Sequence, residues 1–410
     1  MVEVHPFQAV SPTPSVAASV ASLPYDVVSA EQARTIVADN PLSFLRVLRA
    51  EVDLPPDTDP VSETVYQRAA DNYRQMKEQR ILVRNSEPAL YLYSLLMDGH
   101  RQTGLAALCR VDDYENNLVR KHEKTRPDKE DDRTRHMLAL RAQTGLVFLA
   151  CPGGKRLKSL LAEGMSHEPM FDFTAADNIR HTLWRLPSAL QSQMIHVIGE
   201  QPALYIADGH HRAAAAARVR ESLRAENPGH HGREAYNFFP VVIFPAGQLR
   251  VLPYNRVVRG LGGYTPESLL GALTDNFKVE LVETPQPRSP GKLRCYLDGS
   301  WFELTLRHPE KLSSASVDRL DVSILQDFIL SPLLAVDNPR TDRRIDFIGG
   351  IDSVGELVRR VDSGRADVAF SLYPTTVEQL MGIADTGSVM PPKSTWFEPK
   401  LRDGLLVHEL

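Results

Sequence analysis

Cysteine is scarce in this chain of 410 residues, and several common catalytic signatures are missing. The only cysteines are Cys109, Cys151 and Cys295, and they form no Cys-x-x-Cys pair. This excludes a cysteine-rich zinc site and favours a reducing compartment. Neither a Gly-x-Ser-x-Gly elbow nor a His-Glu-x-x-His pair occurs, so the usual serine hydrolase and zinc protease patterns are not supported.

Long apolar runs and an excess of positive charge are missing as well. No run approaches the ~18 residues that a membrane helix needs. The first six residues lack the basic start and apolar stretch of a signal peptide, so we expect a cytoplasmic protein. The net charge is −5. That balance makes a nucleic-acid-coating protein unlikely, although a local basic patch is compatible with it.

The content of hydrophobic residues suffices for a large hydrophobic core. Hydrophobic residues make up 42% and charged residues 24% of the chain, and the length predicts about two domains. Gly260, Gly262 and Gly263 mark a loop, which predicts one domain over residues 1–259 and a second α+β domain over 260–410. Strand and helix signals intermix without a steady alternation, which predicts an α+β fold of mixed sheets with helices packed on them.

Local patterns predict particular elements. Asp98-Gly99 and Asp298-Gly299 each separate two apolar runs, as in a β-hairpin. Ser29 precedes a helical pattern with Gln32 at its third position, which predicts a capping box. We expect helices over residues 30–38 and 64–79, and strands over 249–258 and 401–408.

The sharpest functional signal is the run Tyr205–Arg212, where a strand ends, Gly209 turns the chain and a helix begins. The free N–H groups of a helix start bind anions, and His210, His211 and Arg212 add donors. Asp208 could hold Mg²⁺ or orient a hydroxyl group. The alternative is that Asp208 merely caps the helix and the histidines are surface residues.

A second signal is the polar run of residues 120–136, which holds no aliphatic or aromatic side chain. Pro127 interrupts it, so we expect a solvated loop or the polar wall of a site rather than a docked helix. The usual alternative for a charge run is a solvated helix face. Interleaved acids argue against a track for nucleic-acid phosphates. The run offers phosphate contacts through Lys121, Arg126 and Lys129, and Mg²⁺ ligands in Glu123, Asp131 and Asp132.

A third signal is the proline-rich turn of residues 390–400. We expect residues 120–136 and 208–212 to line one cleft, to which Lys393 and Lys400 could add cations. Lys393-Ser394-Thr395 is not a Walker motif, because the glycine-rich lead is missing. The alternative is a rigid connection before the last strand.

Together with residues 5–10 and 24–26, these three segments resemble the domain-of-unknown-function 1015 family over nearly the whole chain. That family has no settled activity to carry over. Residues 206–213 are more distantly similar to the strand–DGHxR–helix signature of ParB-like and sulfiredoxin-like domains. This second resemblance implies a ParB/sulfiredoxin-like core in the first half and a nucleotide site at Asp208–Arg212. Its superfamily includes a kinase that phosphorylates free serine.

The leading hypothesis is an ATP- or ADP-dependent, Mg²⁺-dependent kinase acting on a small hydroxyl metabolite, with serine as one candidate. The catalytic candidates are Glu123 as general base, Asp208 and His211. The nucleotide-binding candidates are Lys121, Arg126, Lys129, Gly209, His210, Arg212 and Lys393. The Mg²⁺ candidates are Asp131, Asp132 and Asp208. Two alternatives stay open: a ParB-like, nucleotide-responsive binding module, and a metal-assisted phosphatase.

Overall fold

The computed structural model describes residues 2–410 and divides them into two compact units. The first unit runs to Lys121 and continues through Thr125–Leu249 and Pro399–Leu410. The second unit comprises His122–Lys124 and Arg250–Glu398. This division falls before the glycine loop at residues 260–263, and the chain returns to the first unit at its end. The domain boundary at residue 260 stays a prediction.

The strands of the first unit form a mixed sheet and short side pairings. In chain order the strands before the second unit are β1 (Val4–His5), β2 (Val10–Pro12), β3 (Leu82–Arg84), β4 (Tyr91–Met97), β5 (His100–Arg110), β6 (Val119–Arg120), β7 (Ala142–Gln143), β8 (Val147–Cys151), β9 (Phe171–Thr174), β10 (Arg180–Arg185), β11 (Leu204–Asp208) and β12 (Phe238–Pro245). The large sheet has the order β6-β11-β8-β12-β5-β4-β10-β9, with β1 added along β5. Within it β11 runs parallel to β6 and β12 parallel to β8, and the other pairs are antiparallel.

Helices cover this sheet and form a second layer of the first unit. They are α1 (Ala17–Val20), α2 (Ala30–Asp39), α3 (Leu45–Leu48), α4 (Glu63–Glu78), α5 (Val111–Glu115), α6 (Pro127–Leu140), α7 (Lys155–Met165), α8 (Ser188–Gly199) and α9 (His210–Glu226). One apolar core lies on the face of the sheet that carries Leu92, Leu149 and Ile206. A second core gathers around Phe44 and Leu45, where α2, α3 and α4 meet.

The second unit is an antiparallel sheet with its own helices. Its strands are β13 (Arg250–Leu252), β14 (Asn255–Val258), β15 (Phe277–Val282), β16 (Lys292–Leu297), β17 (Ser300–Leu306), β18 (Ile345–Ile348), β19 (Val368–Ser371) and β20 (Trp396–Glu398). The helices are α10 (Pro266–Leu273), α11 (Asp321–Leu325), α12 (Ser353–Asp362) and α13 (Val377–Asp385), and Gln326–Leu330 continues α11 as a π-helix. The main sheet has the order β15-β17-β16-β19-β14-β18, and β13 pairs separately with β20. The last strand of the chain, β21 (His408–Glu409), pairs with β7 of the first unit.

The fold is therefore α+β, as the sequence predicted, and its local turns follow from residue type. Asp98-Gly99 and Asp298-Gly299 each turn with two positive φ angles, 50° and 77° in the first and 48° and 73° in the second. A two-residue turn of this kind matches the twist of the strands that it joins. The capping box at Ser29 forms as predicted, because Ser29 Oγ accepts from Gln32 N–H while the Gln32 side chain accepts from Ser29 N–H.

Three local predictions were wrong. Residues 249–258 contain two strands, β13 and β14, instead of the single strand that we expected. Residues 401–408 are not a strand, apart from His408. The polar run after Pro127 is not a loop but helix α6, since proline occupies its first position, where a missing N–H costs nothing.

Among residues 2–410, none of the helices has both the length and the apolar composition that crossing a bilayer requires.

Candidate functional site

The predicted turn lies where β11 ends in the first unit. Gly209 adopts a φ of +93°, a left-handed conformation that suits glycine, and α9 starts with the next residue. A Cβ at this position would lie 3.4 Å from the Cα of Val147. Gly209 is itself the N-cap and makes no side-chain capping bond. The alternative interpretation, in which Asp208 merely caps the helix, is therefore wrong.

Asp208 is instead held by Lys400. Its Oδ2 accepts a 2.8 Å hydrogen bond from Lys400 Nζ, and its Oδ1 accepts one from Gly209 N–H. Burial alone would raise the pKa of the Asp208 carboxyl, but the charges of Lys400 and Arg212 outweigh it and hold this pKa well below its usual range. Asp208 is thus ionised at neutral pH. An acid with so low a pKa is a weak proton acceptor, which favours contact with cations over general-base catalysis.

Arg212, in the first turn of α9, is held by two hydrogen bonds. Its Nη1 donates to Leu146 O at 2.9 Å, and its Nη2 donates to Asp403 Oδ2 at 3.0 Å. The side chains are 13% exposed for Arg212 and 1% for Asp403. A Cβ on residue 145 would lie only 2.7 Å from Arg212 Cζ, so glycine at this position leaves room for the Arg212 guanidinium group. The predicted phosphate contact of Arg212 would compete with Asp403.

Asp403 is a functional candidate that sequence reasoning missed. Burial raises its pKa to about 6, although Arg212 opposes this shift. Its Oδ1 is buried and has no hydrogen-bond partner among residues 2–410. The available signal was weak: a charged pair, Arg402-Asp403, interrupts an apolar segment. We interpreted that segment as a strand.

Arg402 belongs to a second buried network of the first unit. Its side chain pairs with Asp177, and its backbone N–H donates to the hydroxyl of Tyr93 at 3.1 Å. Tyr93 in turn lies 2.8 Å from His181 Nδ1. Which of these two atoms donates depends on the tautomer of the His181 ring, because the hydroxyl oxygen can accept from both Arg402 and His181. Burial, followed by the charge of Arg402, lowers the pKa of His181 to about 3.

The start of α6 meets the start of α9. Arg126, the N-cap of α6, donates its backbone N–H to His211 Nε2 at 3.1 Å. Neither helix start has a side-chain cap. The aligned peptide dipoles of a helix give its start partial positive charge, so two helix starts together form a favourable environment for an anion.

The remaining cations of the polar run are less tightly fixed. Lys121 Nζ lies 4.1 Å from the centre of the Tyr114 ring, and burial lowers the pKa of Lys121. Lys129 is exposed near the start of α6. The side chain of Arg126 pairs with Asp128. These cations belong to the same unit as the Gly209 turn.

The other predicted residues fall into different surroundings. Asp131 is exposed and pairs with Arg218 at 3.2 Å. Asp132 is buried, accepts from the Tyr66 hydroxyl at 2.9 Å and pairs with Arg133. The Asp132 side chain is only 10% exposed, against 44% for Asp208, so we leave Asp132 out of the metal site proposed below.

His210 is buried in the first turn of α9. Glu123 and Lys393 belong to the second unit, where Lys393 has a positive φ of 56° and lies 5.6 Å from the Tyr254 ring. The catalytic role of Glu123 and the nucleotide contact of Lys393 stay predictions.

A family model described as "Protein of unknown function (DUF1015)" matches residues 4–323, which places the chain in that family. No curated protein matches the sequence.

Several solved structures are similar at low identity. One is a free serine kinase in complex with ADP, at 13% identity and a TM-score of 0.36, covering 71% of this chain and 87% of that chain. Another is a conserved hypothetical protein from Pyrococcus furiosus, at 14% identity and a TM-score of 0.35, covering 73% and 93%. A third is SbnI with a C-terminal truncation from Staphylococcus aureus, at 10% identity and a TM-score of 0.37, covering 73% and 86%.

Proposed function

We propose that the protein is a nucleotide-dependent phosphotransferase that binds nucleotide phosphates at the Gly209 turn. The observation that carries the proposal is the bond from Arg126 N–H to His211 Nε2, which brings two uncapped helix starts together. Backbone N–H groups at a helix start, next to a glycine, form a common phosphate-binding arrangement in proteins. Lys121 and Lys129 of the same unit supply further positive charge.

The chemistry of Asp208 supports a Mg²⁺ ion at the phosphates. Mg²⁺ usually takes one or two carboxylates and completes its shell with substrate phosphates and water. Asp208 is ionised and its side chain is 44% exposed. Each of its oxygens accepts one hydrogen bond and keeps a further lone pair. Asp131 is the second candidate ligand. When bound, the ion would neutralise charge on the transferring phosphoryl group.

Transfer to a small hydroxyl compound also needs a proton acceptor. The phosphorus–oxygen bond to the nucleotide breaks, a bond to the acceptor oxygen forms, and the hydroxyl proton leaves. Asp208 is poorly suited to take this proton because its pKa is lowered. We keep Glu123 as the proposed base. Serine is the first acceptor to try, because of the sequence resemblance described above.

Nucleotide binding is the first test. We expect ADP or ATP with Mg²⁺ to bind the purified protein in isothermal titration, and His211→Ala to weaken binding about ten-fold, since a hydrogen bond to a charged group contributes ~1.5–3 kcal/mol. His196→Ala is the matched control, because His196 is an exposed histidine on α8, outside the turn. Absence of nucleotide binding by the unaltered protein would overturn the proposal.

Product analysis is the second test. The protein is incubated with Mg²⁺, ATP or ADP, and a pool of small alcohols and amino acids, and phosphorylated products are sought by mass spectrometry. A phosphorylated acceptor supports the kinase. Nucleotide binding without any product would favour the binding module, and phosphate release from phosphomonoesters without nucleotide would favour the phosphatase.

A further inference from the structure

A cleft of about 430 Å³ lies within the second unit, apart from the residues used above for phosphate binding. Two of the sequence segments singled out earlier meet there, because the backbone N–H of Met390 donates to the carbonyl of His122 at 2.8 Å. Lys124 and the pair Pro391-Pro392 line the cleft on that side. The volume is within the range of small-molecule sites.

The four charged residues of the cleft form two neighbouring pairs of like charge, one basic and one acidic. Arg340 and Lys124 lie together, since Arg340 Nη1 donates to the Lys124 carbonyl at 3.2 Å. Asp318 and Asp327 lie together, since Asp318 contributes, after partial burial, to raising the pKa of Asp327. All four residues line the same cleft.

Opposite charges in one cleft normally pair, and here they do not. Within residues 2–410, none of these four side chains forms an ion pair. Two carboxylates that repel one another remain close although two cations line the same space. A ligand that carries an ammonium group and an anionic group would satisfy both pairs at once.

The backbone around the two carboxylates is also unusual. Asp327 lies in the π-helix Gln326–Leu330, which follows directly on α11. A π-helical turn is rare and is found preferentially at functional sites. It places Gln326 and Asp327, two consecutive residues, both along the cleft.

We propose that this cleft binds a small zwitterion of the α-amino acid type, with its carboxylate at Arg340 and Lys124 and its ammonium group at Asp318 and Asp327. The proposal does not depend on the phosphotransferase activity. It names a second ligand site, whose residues all belong to the second unit.

The probe is the set of twenty common L-amino acids, tested one at a time by thermal shift and then by isothermal titration on the full chain. At least one should raise the melting temperature, because a ligand that binds the native state stabilises it. The N-acetyl derivative lacks the ammonium group and the amide derivative lacks the carboxylate. Each should bind about ten-fold more weakly or worse.

Charge-removing variants locate the site. Arg340→Gln and Asp327→Asn should each weaken binding of the best amino acid about ten-fold or more. Arg343→Gln and Asp275→Asn are matched controls at exposed positions of the second unit, and they should leave it unchanged. Because Arg340 and Asp327 are exposed, both variants should fold, and Asp318→Asn provides a third if one does not.

Three results would overturn the proposal: no amino acid binds, binding survives both Arg340→Gln and Asp327→Asn, or the two singly charged derivatives bind as well as the parent. The nucleotide proposal fails separately. His211→Ala should leave amino-acid binding intact. If the unaltered protein binds no nucleotide, the nucleotide proposal fails, but the amino-acid proposal still stands.

Discussion

Arg212 Nη2 lies 3.0 Å from Asp403 Oδ2, although 191 positions separate the two residues in the chain. Both side chains are largely buried. Removing one member of a buried ion pair leaves an uncompensated charge, whereas an apolar replacement of both members can be nearly neutral.

We therefore predict that Arg212→Met and Asp403→Asn each lower the free energy of unfolding by about 3–5 kcal/mol. The double variant should lose clearly less than the sum of the two, because neither charge is then left alone. Urea denaturation of the four proteins measures this cycle. Strictly additive losses would show that the two groups do not depend on one another.

Lys400 and Lys393 should respond differently to the same substitution. Lys400→Gln removes the main charge that lowers the pKa of Asp208, so this pKa should rise and the melting temperature should fall. Lys393→Gln, at an exposed position, should leave the melting temperature nearly unchanged. A pH titration of Asp208 by NMR, with thermal melts of both variants, tests this. Equal melting temperatures for the two variants would contradict it.

Gly209 should tolerate alanine poorly. A non-glycine residue in the left-handed region costs about 1–2 kcal/mol, so Gly209→Ala should lower the free energy of unfolding by about that amount. Gly247→Ala is the control, because a Cβ there meets no atom within 4 Å. The control should be neutral or slightly stabilising. Chemical denaturation measures both, and a harmless Gly209→Ala would mean that the turn can relax.

Acid should destabilise the protein through His408, whose pKa burial lowers to about 4. Between pH 6.5 and pH 4, the His408 imidazole is protonated in the unfolded state but stays neutral in the folded state. The free energy of unfolding should therefore fall between pH 6.5 and pH 4, by about 1–3 kcal/mol for this residue. His408→Gln should show a shallower decline and exposed His196→Gln should not. Parallel pH curves for His408→Gln and the unaltered protein would refute the assignment.

Sequence reasoning succeeded where one short segment determines its own structure. The turn at Asp98-Gly99, the capping box at Ser29 and the strand–glycine–helix turn at Gly209 depend on neighbours within a few residues. It failed for α6, because the buried face of that helix includes polar residues such as Asp132 and Arg133. An apolar periodicity cannot reveal a helix whose buried side chains are satisfied by ion pairs.

The site was predictable only in part for the same reason. The strand–glycine–helix turn could be recognised from residues 205–212, and Lys400 was noted as a cation. The partners Lys400 for Asp208 and Asp403 for Arg212 lie 192 and 191 positions away. No local pattern specifies such pairs. The return of Pro399–Leu410 to the first unit has no compositional signal either.

That return has a consequence for how the protein is made. The first unit receives its final segment only after residues 250–398 have been synthesised. Until then Asp208 lacks its hydrogen bond from Lys400, and Arg212 lacks its ion pair with Asp403. Closing loops of this length is slow compared with forming a hairpin or a helix. Ordering of the Gly209 turn should therefore be a late step of folding, which can be completed only after residues 399–410 have been synthesised.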